Sequence, residues 1–226
     1  MKLISIESSR LTALFHMSRR SGQQYLPFLM AAIADRYKFA AFPNSAQELS
    51  VEPIVFQHGL FNGSAIGRLE IYHDGVSILS ASNTDLLDEF LKDLLSWMNQ
   101  EFGFSEFSSR EVTRIHESVI WIESNPAILG PLRLLEPIQD RLAAMLRENY
   151  GLSLAYQPMG YTLVTDHLRS TDLKPIPYRL ERRLAAAFSF NQFVASASLR
   201  TNQHLEILAD LETMFGGPLP STESSP

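Results

Sequence analysis

The sequence predicts an α+β protein, a mainly antiparallel sheet of roughly six to eight strands with two or three helices packed on one face. Three observations lead there. Strand-like runs come in groups rather than alternating singly with helices. An Asp74-Gly75 pair sits between two runs of β-forming residues, as in a tight hairpin. Directly after it, Leu87, Phe90, Leu91, Leu94, Leu95 and Met98 form one broad stripe at helical spacing, with Asp85, Glu89, Lys92 and Asn99 opposite. Such a helix needs an apolar surface to cover, and the hairpin before it supplies one.

The elements follow in order. In residues 3–17, Leu11, Ala13, Phe15 and Met17 alternate as in a strand, while Leu11, Leu14 and Phe15 equally suit a helix. Gly22 interrupts this segment, and Pro27 opens a short helix carrying Phe28, Leu29, Ala32 and Ile33. Residues 37–42 read as extended and Pro43-Asn44-Ser45 as a turn. Residues 51–56 form a strand whose Pro53 marks a sheet edge or a strand start. Residues 59–63 read as a loop, leading into an antiparallel meander.

In the hairpin, pairing His73 with Val76 sets Ile71 opposite Ile78 and Leu69 opposite Ser80, so Leu69, Ile71, Val76 and Ile78 share the buried face. Ser82 or Thr84 caps the following helix, Asp85, Asp88 and Glu89 favour its positive end, and Gly103 stops it. Residues 112–123 are apolar on both faces in the middle, as expected of a central strand.

Pro137 begins a second helix with Ile138, Leu142, Met145 and Leu146 turned inward, and Gly151 ends it. Short strands are expected at 152–156 and 161–165, a polar loop at 166–177, and extended segments at 178–184 and 188–197. Thr201 caps a last helix carrying Leu205, Leu208, Leu211 and Phe215. The strand-to-helix units ending at Phe102 and Phe215 echo each other, without a fixed period. Residues 1–217 are read as one domain, and 218–226, rich in Pro and Ser, as a disordered tail.

With 226 residues and 45% hydrophobic content, the chain can bury a substantial core. A formal net charge of −6 and a pI near 5.5 argue against general nucleic-acid binding, which depends on neutralising phosphates. Having no cysteine excludes disulfides, thiolate metal sites and cysteine nucleophiles, and fits a cytoplasmic location. No apolar run has the length of a membrane span. The first 24 residues are rich in Ser and Arg, with Glu7 the sole acid; this resembles a transit peptide in composition, but the plain reading is an amphipathic start of the domain.

Catalytic motifs are missing: there is no phosphate-binding glycine loop and no Gly-x-Ser-x-Gly elbow. The histidines stand one per element, none at metal-ligand spacing from another. His116 and Glu117 are adjacent on a strand, and so point to opposite faces and do not meet. The strand over 178–184 carries Arg179, Arg182 and Arg183, which together could hold a phosphate or carboxylate, or could be bracketed by Glu181. Phe102, Phe104 and Phe107, just beyond the first long helix, are interface candidates because aromatics are enriched there. Residues 51–107 are strongly acidic, with only Arg68 and Lys92 as bases, which could orient a partner or a second copy of the chain. The function expected from these features is non-enzymatic protein interaction or assembly, through a protein partner or self-association, with no catalytic residue, metal or cofactor assigned. The alternative is a small-molecule or anion-binding protein, or an enzyme, using the arginine cluster.

Overall fold

A computed structural model describes residues 1–15, 26–43, 45, 48, 52–103, 112–166 and 174–216. Its centre is one antiparallel sheet of eight strands in the order β2-β3-β4-β1-β5-β8-β7-β6. The strands are β1 (Lys2–Leu14), β2 (Ile54–Phe61), β3 (Ser64–Tyr72), β4 (Gly75–Ser80), β5 (Thr113–Glu123), β6 (Gly160–Leu163), β7 (Tyr178–Arg182) and β8 (Gln192–Ala197). The helices are α1 (Leu26–Tyr37), α2 (Thr84–Phe102), α3 (Glu136–Tyr150) and α4 (Thr201–Gly216), with a 3-10 segment over Pro126–Leu135 before α3.

The ambiguous first segment is a strand. β1 lies between β4 and β5 and pairs with both, so each edge of its backbone is hydrogen-bonded. Alternation then buries Leu11 and Ala13 completely, a burial a helix there could not share with two strands. β5 is the other central strand, as its doubly apolar middle implied.

Two turns differ from expectation. In the β3–β4 hairpin, Ile71 faces Val76 and Leu69 faces Ile78, so the two-residue loop is His73-Asp74 rather than Asp74-Gly75. The slip is two residues, and the apolar set therefore stays on the same face. Gly75 serves a different need: a Cβ there would overlap the Ala13 carbonyl of β1. The left-handed Asn-Gly turn lies one hairpin earlier. Asn62 (φ 48°) and Gly63 (φ 77°) join β2 to β3, and the supposed loop at 59–61 is the end of β2, where Gly59 admits the Phe39 ring. No strand forms at 152–156.

The sheet order is the same read outward from its middle in either direction. β1, β4, β3, β2 run one way, β5, β8, β7, β6 the other, and each set folds as strand, helix, three strands, helix. The chain is therefore two like units related by a two-fold axis near the antiparallel β1–β5 pair, where Ser9 faces Ser118. At the starts of α2 and α4, the Thr84 amide donates to Thr201 Oγ1 (3.1 Å) and the Thr201 amide donates to Thr84 Oγ1 (3.0 Å). Each threonine thus caps the other unit's helix, and the α2 cap proper is Asn83, whose Oδ1 accepts from the Leu86 amide.

Residues 116, 118 and 120 project from one face of β5. His116 meets Asp88 of α2, Ser118 meets His204 of α4, and Ile120 joins the α4 core, so α2 and α4 cover the same face. α1 joins α2 there: Leu29, Met30, Ile33 and Tyr37 are buried in one cluster with Leu69, Ile71, Ile78, Leu91 and Leu94. The second unit's core, around Ile120, Ile122, Phe193 and Leu208, holds fewer than half as many buried residues among those described. The opposite sheet face carries ion pairs along the strands, Arg68 with Glu70 (2.8 Å) and Arg10 with Glu117 (3.9 Å). No helix of the described residues is long and apolar enough to cross a membrane.

Candidate interaction surface

α3 forms for reasons legible in its residues. Pro137 stands in its first turn, and Gly151 (φ 68°) closes it, its amide donating to the Arg147 carbonyl at 3.0 Å. Its apolar residues recur at helical spacing, which predicts an inward face. The described residues do not bury that face. No residue of α3 is buried; Leu142 is 40% exposed, Met145 46% and Ile138 57%. Among the described elements its substantial packing is against the 3-10 segment alone. Further along the chain Leu152, Leu154 and Tyr156, and Leu163 and Val164 at the end of and just beyond β6, are exposed as well. Exposed apolar residues in this number make the stretch a candidate interaction surface.

The arginines of the expected anion site lie apart. Arg179 and Glu181 pair at 3.4 Å on the helix-free face. Arg182 turns to the other face, where its guanidinium lies over the Phe188 and Phe193 rings and donates to the Phe188 carbonyl at 3.1 Å. Its Nε is buried without a partner, and burial lowers its pKa. Arg183 stacks 3.9 Å over the Trp121 ring and donates to Gln192 Oε1. Of the aromatic candidates, Phe102 packs edge-on against Phe28 of α1 and Trp97 of α2, closing the joint between those helices. Phe104 and Phe107 lie outside the described residues, as does the tail 218–226.

Two histidines lie between the units. His116 and Glu117 do not meet, as their strand positions require. His116 Nε2 is 2.9 Å from Asp88 Oδ2, while Arg200 (2.8 Å) and Arg114 (3.0 Å) also bind that carboxylate. Burial lowers the His116 pKa against the pull of Asp88. His204 is wholly buried, a placement that one isolated histidine among helix residues does not signal. Among the described residues no group of three His, Asp or Glu side chains is placed to hold a metal ion. No family model matches the chain, and no curated protein matches its sequence.

Proposed function

We propose that this chain is a non-enzymatic protein-interaction or assembly protein that works through α3 and the apolar segment following it. The observation that carries the reading is a helix with a proper start, a proper stop and an apolar stripe that, among the described residues, has only the 3-10 segment as a substantial neighbour and is nowhere buried. The uneven charge, with acids gathered in residues 51–107, would orient the partner. A cytoplasmic setting is compatible with the absence of cysteine. The anion-site alternative has no comparable support, because each of Arg179, Arg182 and Arg183 is engaged with a different group.

The test is the double substitution Leu142→Glu/Met145→Glu in the full chain. Both residues are exposed, so the fold should persist, checked by an unchanged circular dichroism spectrum and unfolding midpoint in dilute solution. Light scattering and pull-down against candidate partners then compare variant with wild type. Loss of association in the variant is expected; association identical to wild type, or none in either, rejects the reading.

A further inference from the structure

We propose that the partner of α3 is α4 of a second copy of this chain, so that two copies exchange these helices in a symmetric dimer. This rests on the reading of α3 as an interface and names what occupies it.

The first unit shows what a helix in this place does. α1 and α3 both follow their unit's first strand, and both end in a tyrosine followed by a residue in the left-handed region: Tyr37 before Lys38 (φ 54°) and Tyr150 before Gly151 (φ 68°). Aligned from that end, Leu29 matches Leu142, Ile33 matches Leu146 and Tyr37 matches Tyr150. The three in α1 are buried, whereas Tyr150 is 72% exposed. These three apolar positions are retained in the second helix, where none of them is buried.

The receiving positions are also present on α4 and also exposed, beside the face on which the 3-10 segment packs. Tyr37 packs its ring against Phe90 (4.7 Å) and Trp97 (6.2 Å) of α2 and donates its hydroxyl to Asp93 (2.7 Å). Matching Thr84 to Thr201, which the reciprocal caps dictate, puts Ile207, Asp210 and Met214 of α4 in those three places. Phe90 is fully buried, but Ile207 is 42% exposed and Met214 69%. The chain thus carries both sides of a contact that its first unit makes, a tyrosine-ended helix and an apolar stripe with a carboxylate at its centre. In the second unit the two make no substantial contact, since α3 packs chiefly on the 3-10 segment. An unrelated partner for α3 would leave the α4 stripe without a role. A second copy satisfies both, twice over, because in a two-fold dimer each chain gives its α3 and receives the other's. Tyr150 would then lie on Ile207 and Met214 with its hydroxyl toward Asp210.

The chain has no cysteine, so thiols can be placed only where wanted. The experiment is the double variant Tyr150→Cys/Met214→Cys, treated at low concentration with a short bis-maleimide and read by denaturing mass and peptide mapping. Both positions are exposed, so the variant should fold. The expected result is a covalent dimer with position 150 of one chain linked to position 214 of the other. A 150–214 link within a single chain overturns the proposal, because α3 then closes on its own unit. Absence of any 150–214 link overturns it too. If that happens while Leu142→Glu/Met145→Glu still abolishes association with another protein, α3 is an interface with a different occupant; if that variant changes nothing, the interface reading itself has failed.

Discussion

His204 is wholly inside the protein, with Nδ1 2.8 Å from Ser118 Oγ and Nε2 without a partner. Its counterpart in the first unit is Leu87, fully buried in the same position on α2. Burial lowers the imidazole pKa from 6.5 to about 4. The folded state therefore binds fewer protons than the unfolded state between those values, and stability falls as the pH drops from 6.5 towards 4. The loss on crossing that window should be roughly 3 kcal/mol, and His204→Leu should remove it. Urea unfolding at pH 7 and at pH 4.5 checks this: equal pH dependence in wild type and variant would show that His204 titrates normally. Arg182 is a similar case at a site of expected binding. A guanidinium stacked on two rings and bonded to a carbonyl holds the turn after β7 in place and is committed to the fold.

At the scale of elements, α1 and α3 share a pattern and differ in surroundings. Leu29→Ala should cost about 2–5 kcal/mol, as for any leucine removed from a packed core. Leu142→Ala should cost less than about 1 kcal/mol in dilute solution, where the side chain is not buried. Its cost should grow with protein concentration if two copies exchange α3, because association adds to apparent stability by mass action. Unfolding midpoints measured over a hundredfold concentration range decide the matter. The hairpins teach a related point. Asp74-Gly75 and Asn62-Gly63 are equally good turn signals, and only the second adopts the positive φ that such pairs favour. At the first, the approach of the β1 backbone at Ala13 sets the identity of Gly75.

At the scale of the whole molecule, the two units are joined by the β1–β5 ladder, the Asp88 ion-pair group and the exchanged threonine caps. Thr84→Val leaves the Thr201 amide without its acceptor in a buried place and should cost about 1–3 kcal/mol; Thr201→Val should do the same to the Thr84 amide. The double variant should cost less than the two together, since one opened cap admits water to the other. Strict additivity in denaturant unfolding would mean that the two caps are independent and that the junction does not act as one contact.

The residues alone were enough for the class of fold, the stripe of α2, the central place of β5 and the existence and ends of α3, because these depend on periodicity, capping and turn chemistry within short stretches. The echo between the units ending at Phe102 and Phe215 was visible too. It had no fixed period because loops of unequal length shift the matches: Ser9 with Ser118, Tyr37 with Tyr150, Thr84 with Thr201. Only the tertiary structure decided that β1 is a strand, that His204 is buried, that the three arginines part company, and that the apolar face of α3 points to solvent. Each of these depends on which distant segment lies alongside, and a local pattern specifies that a face is apolar without specifying what covers it.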